Sequence, residues 1–246
     1  MFDRLKRIID DGTNLTYQDV QNHQLTINHP WNSANRWRPP RDPLALDLDG
    51  DGIETVGADG AILFDHDGDG IRTGTGWVKG DDAFLVLDRN ANGTIDSGAE
   101  LFGVDTVLAN GAKAANGFAA LKDLDSNGDN LFTAADARFA QVRLWRDLDE
   151  DGISDAGELI ALTEAGITRI NLNATVTSTN LAGGNRQTAT ATYTRANGTT
   201  GTAGDVSLDG NAANLDLASN PFYREFTDSL PITGQAAGLA ARSIGS

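Results

Sequence analysis

Asp147-Leu148-Asp149-Glu150-Asp151-Gly152-Ile153-Ser154-Asp155-Ala156-Gly157-Glu158 carries an acid at its first, third, fifth and twelfth positions and a glycine at its sixth. Calcium is a hard cation that takes about six to eight oxygen ligands. A tight loop supplies them from side chains at positions 1, 3 and 5, a backbone carbonyl at 7 and a bidentate acid at 12. Glycine at 6 permits the sharp turn. Asp147, Asp149, Asp151 and Glu158, with the carbonyl of Ile153, therefore read as a complete calcium loop.

Four further copies lie upstream. Asp125, Asn127, Asp129 and the carbonyl of Leu131 are closed by Asp136 at position twelve, and Asn130 replaces the sixth-position glycine. Asn tolerates the left-handed backbone that this position needs. Asp88, Asn90, Asn92, Thr94 and Asp96 form a third loop whose closing acid, Glu100, comes one residue late. That loop must end in a bulge or be ligated differently. Asp47, Asp49 and Asp51 begin a fourth, and Asp65, Asp67 and Asp69 a fifth. Neither has an acid at its twelfth residue, so each needs a ligand from afar, with Asp59, Asp81 and Asp82 the candidates. A single copy could be an acidic turn without metal; five in succession point to a cation. Magnesium competes, but it prefers octahedral, water-rich sites.

The loops predict an α+β fold: EF-hand-like calcium loops with short helices, plus a small antiparallel β-sheet. Helices fit at 117–124, 134–145 and 156–164, with Phe139, Val142, Leu144 and Trp145 supplying core. Residues 84–87 are an apolar run, helix or strand. Residues 167–176, 187–195 and 199–208 alternate and are rich in Thr and Val. Asn197-Gly198 between the last two is a hairpin turn.

Three segments follow. Residues 1–42 are a flank, with an amphipathic helix near Phe2, Leu5, Ile8 and Ile9 and an aromatic, basic linker ending at Asp42. Residues 43–208 are the module, with loops over 43–165 and hairpins over 166–208. Residues 209–246 are an extension around Asn220-Pro221-Phe222-Tyr223, with a loose tail after Pro231.

The 246 residues carry a net charge of −16, and about two-thirds of the 35 acids lie between Asp47 and Glu158. Packing those carboxylates together costs repulsion that divalent cations remove. Such a chain is a poor partner for nucleic acid. It has no Cys and three His, which argues against zinc. No apolar run reaches the roughly 20 residues of a membrane span, and the N-terminus does not read as a signal peptide.

Asp42-Pro43 is the one Asp-Pro pair in the chain. Alone it is an ordinary linker dipeptide. Its setting, Arg41-Asp42-Pro43-Leu44-Ala45-Leu46-Asp47-Leu48-Asp49-Gly50-Asp51-Gly52-Ile53-Glu54, resembles the start of the self-processing module of iron-regulated RTX proteins of the FrpC type. The likeness continues through 62–79, with Gly74-Thr75-Gly76-Trp77-Val78-Lys79, and through Glu100-Leu101-Phe102-Gly103 to Leu144-Trp145-Arg146-Asp147, covering roughly 42–205. No run of Gly-Gly-x-Gly-x-Asp repeats is present, so no β-roll is expected. The resemblance implies that calcium folds the module, that the Asp42-Pro43 bond then breaks, and that Asp42 can be joined to a lysine amine of the same or another protein.

The chemistry is reasonable in itself. The Asp42 carboxylate reaches its own carbonyl carbon and closes a five-membered anhydride, an intramolecular attack with much of the entropic barrier already met. The leaving nitrogen of Pro43 needs a proton, and the sequence does not identify its donor. Lys6, Lys79, Lys113 and Lys122 are the lysines, none singled out as acceptor. Two function classes remain: a calcium-triggered self-cleaving and crosslinking module, or a non-catalytic calcium-folded module of a secreted RTX-type protein. Either fits an extracellular or cell-surface location reached by type I export.

Overall fold

The computed structural model describes residues 41–59 and 61–216. The helix expected near residues 2–9, the linker before Arg41, residues 220–228 and the tail after Pro231 lie outside the described residues.

In chain order the strands are β1 (Leu44–Leu46), β2 (Thr55–Val56), β3 (Leu63–Phe64), β4 (Arg72–Thr75), β5 (Trp77–Val78), β6 (Ala83–Val86), β7 (Leu131–Thr133), β8 (Arg143–Trp145) and β9 (Leu159–Ala161). They continue with β10 (Ile167–Asn171), β11 (Thr175–Asn180), β12 (Arg186–Arg195), β13 (Thr200–Ser207) and β14 (Gly210–Asp216). One α-helix is described, α1 (Gly117–Lys122), capped by Asn116, whose side chain accepts the Ala119 N–H. It matches the helix expected at 117–124.

Nine strands form one antiparallel sheet in the order β7-β10-β12-β13-β1-β6-β8-β9, and β11 shares an edge of β12 with β10. β3, β4 and β14 form a second sheet, and β2 pairs with β5. The middle of the large sheet, β13-β1-β6-β8, is buried on both faces. Leu44, Leu46, Leu85, Leu144, Ala203 and Tyr193 enter one core with Phe118 and Leu121 of α1. Ala45, Phe84, Val86, Trp145 and Val206 enter the other with Phe64 and Trp77. Side chains alternate across a strand, so a strand covered on both sides reads as a continuous apolar run.

That double burial overturns the α+β expectation. The protein is mostly β, and no EF-hand helices flank its loops among the described residues. Residues 134–145 are turns, a single 3₁₀ turn and β8, because Leu144 and Trp145 point into opposite cores. Residues 156–164 hold β9 after Gly157 at φ 98°, a conformation no helix continues through. The strands expected at 187–195 and 199–208 are present as β12 and β13, while 167–176 is split between β10 and β11. They belong to a much larger sheet in which β13 pairs with β1 from the other end of the module.

Candidate functional site

The five acidic loops share one local geometry despite their strand context. In each, the first aspartate accepts backbone N–H groups from the fourth to sixth residues. Asp65 receives Gly68, Asp69 and Gly70; Asp147 receives Asp151 and Gly152; Asp88 receives Asn92 and Gly93. Asp125 receives Gly128 and Asn130, and Asp47 receives Gly50. The sixth residue is left-handed in every loop, including Asn130 at φ 63°. So is the fourth, where Ala91 and Glu150 stand in place of glycine.

The closing acids share a second device. Glu158 accepts the N–H of Leu148 and of Asp155, the second and ninth residues of its loop. Asp136 accepts Ser126 and Thr133 in the same manner. Glu100, one residue late, still accepts Arg89 and Asp96. In the loop that begins at Asp47 the part is taken by Asp82, which accepts Leu48 and Glu54.

Acids converge at five places, each with three ligand oxygens within 4.8 Å of one another: Asp47, Asp49 and Asp51; Asp49, Glu54 and Asp82; Asp65, Asp67 and Asp69; Asp147, Asp149 and Glu158; Asp149, Asp151 and Asp155. The loops at Asp88 and Asp125 bring no three acids together among the described residues. Their amides hydrogen-bond acids instead, Asn92 to Asp96 and Asn127 to Asp129. The Glu54 Oε2 atom is buried with no hydrogen-bond partner. An unsatisfied carboxylate oxygen beside Asp49 and Asp82 is what a hard divalent cation would satisfy, so the donor set fits calcium. Burial and the neighbouring charges of Asp51, Asp81 and Asp49 push Glu54 up. Burial pushes Asp82 to about 7 and Asp147 to about 6 against their backbone donors.

Asp42 and Pro43 lead into β1, which lies between β13 and β6. The junction is held on both sides. Leu208 N–H donates to Arg41 O at 2.7 Å, Val206 N–H to Pro43 O at 3.0 Å, and Leu44 N–H to Phe102 O at 2.8 Å. Asp42 Oδ1 accepts the Val104 N–H at 2.9 Å. Gly103 faces the peptide bond itself: a Cβ there would lie 3.1 Å from Asp42 O, 3.3 Å from Asp42 C and 3.4 Å from Pro43 N. Asp42, Pro43, His66, Gly103 and Val104 help line a cavity of about 10 Å³. Burial pushes Asp42 to about 7, opposed by the Val104 N–H.

Arg41 ties the junction to a loop. Its guanidinium donates to Asp67 at 3.1 Å and to Asp105, which also accepts Lys113 at 2.8 Å. His66 is buried, and its Nε2 lies 3.0 Å from the Thr75 hydroxyl, which itself donates to Gly76 O. Asp205, one of the most buried acids, is pushed to about 8 by burial and by the nearby Asp42. Glu54, His66 and Asp205 were invisible as site residues, since each sits outside a recognisable ligand position. Only Asp82 was reachable, as an acid lying close after an incomplete loop.

The SPM domain family model matches residues 44–209, from the first residue of β1 through the last strand of the large sheet. The chain belongs to the SPM domain family. Over 201 residues it is 50% identical to the iron-regulated protein FrpA of Neisseria meningitidis serogroup C. That match covers 81% of this chain and 17% of FrpA, so the chain spans about a sixth of its relative's length. The matched SPM domain contains all five acidic loops and Asp205. It opens one residue beyond the Asp42-Pro43 bond.

Proposed function

We propose that this chain is a calcium-dependent self-cleaving module, running over residues 43–208, that breaks its own Asp42-Pro43 bond. The observation that carries the reading is the junction: the Asp42 carboxyl is buried beside its own peptide bond, with Gly103 against that bond and the two flanking carbonyls held by the N–H groups of Val206 and Leu208. Bound calcium would supply the positive charge that neutralises the clustered acids and satisfies Glu54. Asp47, Asp49, Asp51, Glu54 and Asp82 would hold one ion, Asp65, Asp67 and Asp69 another, and Asp147, Asp149, Asp151 and Glu158 a third. The loops at Asp88 and Asp125 would use Asn90, Asn92, Thr94, Asp96 and Glu100, and Asn127, Asp129, Leu131 and Asp136.

The Asp42 carboxylate attacks its own carbonyl carbon, and the bond to the Pro43 nitrogen breaks. The product is a cyclic anhydride on Asp42 and a new N-terminus at Pro43. Water opens the anhydride to the free acid; a lysine amine opens it to an isopeptide. Extracellular modules of this kind bind calcium at about 10⁻⁴–10⁻³ M, so the chain would stay open before export and fold outside the cell. Among the described residues no helix is long and apolar enough to cross a membrane.

Millimolar calcium added to the full chain, followed by electrophoresis and mass spectrometry, tests this. A fragment beginning Pro43-Leu44-Ala45 is expected, with loss of cleavage but not of folding in Asp42→Ala, and loss or great slowing in Asp42→Asn. A chain that folds in calcium and stays whole for a day overturns the reading and leaves a structural calcium module.

A further inference from the structure

Breaking the Asp42-Pro43 bond needs a proton for the departing nitrogen. The antiparallel register between β1 and β13 runs without a shift from Arg41↔Leu208 to Leu44↔Asp205. Asp205 is thus directly opposite Leu44 and diagonal to Asp42. Side chains alternate along a strand, so Asp42, Leu44 and Asp205 face the same side, where directly opposed and diagonal neighbours interact. Pro43 between them has no N–H, so its nitrogen makes no ladder bond to β13. The next residue of β13, Val206, holds the Pro43 carbonyl.

Asp205 is built into this place. It is 1% exposed. Its Oδ1 accepts the Gly117 N–H of α1 at 3.0 Å, and a Cβ on Gly117 would strike both Oδ1 and the Leu44 side chain. Its Oδ2 has a weaker partner, the Thr188 hydroxyl at 3.5 Å, which lies nearer to the Asp205 carbonyl at 3.2 Å. From β12 it therefore meets a neutral hydroxyl, from α1 a backbone N–H, and from the β1 side the Asp42 carboxyl, the charged group that bears on it. Two carboxyls that share a site do not both ionise readily, and the pair divides into a base and an acid.

Resting on the self-cleavage reading, we propose that Asp205 is the catalytic acid that gives its proton to the Pro43 nitrogen. The bond from the Asp42 carboxylate oxygen to the Asp42 carbonyl carbon forms, and the carbon–nitrogen bond breaks. Its electron pair goes to the Pro43 nitrogen, which takes the proton from Asp205. The products are the Asp42 anhydride, a neutral proline amine and an Asp205 carboxylate. Burial assigns the roles in the same sense, with the higher value, about 8, at Asp205 and the lower, about 7, at Asp42.

The test is the cleavage rate of the full chain in saturating calcium from pH 5.5 to 9.5, for wild type, Asp205→Asn and Asp205→Glu. Wild type should give a bell, rising as Asp42 ionises and falling as Asp205 loses its proton. Asp205→Asn should cleave about 100-fold or more slowly and lack the falling limb, with an unchanged calcium titration by circular dichroism. Asp205→Glu should recover part of the rate with a displaced falling limb. Asp205→Asn cleaving at the wild-type rate overturns the assignment. So does a wild-type rate with no falling limb, a result that stands even if the Asn variant fails to fold. A wild-type chain that is never cut overturns the self-cleavage reading itself, and the assignment with it.

Discussion

Trp77 donates its indole N–H to Asp147 Oδ2 at 2.7 Å, across 70 residues of chain. Trp145 does the same for Glu158 at 3.2 Å, and the two rings meet edge to face at 5.3 Å. The first and last residues of one loop are thus fastened to the middle of a core. A change in that loop's charge is felt by both indoles.

Calcium should therefore alter the tryptophan emission of the chain, and Trp77→Phe should remove part of that change, leaving the share of Trp145. The substitution leaves a buried carboxylate short of a donor. It should cost about 1–3 kcal/mol of stability and weaken calcium binding at this loop. Emission that ignores calcium in wild type would mean the loop does not take up the ion.

The closing acids give a second prediction. Asp82→Asn and Glu158→Gln should each weaken calcium binding by about tenfold or more, because each removes a carboxylate that also fastens two backbone N–H groups. Glu164→Gln, at an exposed acid outside the loops, should leave a calorimetric calcium titration unchanged. Equal losses at all three positions would show that bulk charge, not the loop pattern, sets affinity.

Ala91 sits at φ 60° on an exposed loop tip where three sister loops carry glycine. A left-handed alanine costs about 1–2 kcal/mol, part of which glycine returns as flexibility of the unfolded chain. Ala91→Gly should thus stabilise the calcium-loaded fold by up to about 1 kcal/mol, read as a higher midpoint of urea unfolding. A loss of stability would contradict the left-handed geometry of the fourth position.

Without calcium, acid should substitute in part for the metal. Asp42 and Asp205 are raised to about 7 and about 8 from the ordinary aspartate value of 3.8. Between those limits the folded chain binds more protons than the unfolded one. Their contribution is therefore fully present below the unfolded value and is lost as pH rises through about 7 to 8. The folded fraction of the calcium-free chain, read by circular dichroism, should rise between pH 8.5 and 5.5. A fraction that falls on acidification would refute the raised values.

The ligand spacing of the loops is written in the chain, because positions 1, 3, 5 and 6 are local chemistry. Their setting is not. Acidic loops of this kind suggest flanking helices, and Leu144-Trp145 and Leu159-Ile160 fit a helical face as well as a strand. What decides is a partner far along the chain: β13 for β1, or Trp145 for Phe84. The same distance hid Asp205, a lone acid in a Thr-rich strand until the register sets it diagonal to Asp42. Asp82 lay close enough to be considered, and Glu54 did not, since its role depends on a turn that closes back on Asp49.

Arg41 has a consequence for the fate of a severed chain. A cut at Asp42-Pro43 would fall at the margin of the large sheet, so β1 would keep its partners on both sides and the remaining domain would lose no strand. The departing end would still be tethered, since the Arg41 carbonyl is bound to Leu208 and its guanidinium to Asp67 and Asp105. The lifetime of that tether would set how long an activated Asp42 waits in a sheltered niche before water reaches it. A slow release would favour transfer to an amine and a fast one hydrolysis. Salt, which loosens ion pairs at partly exposed sites, would then act as a dial between joining and mere cutting.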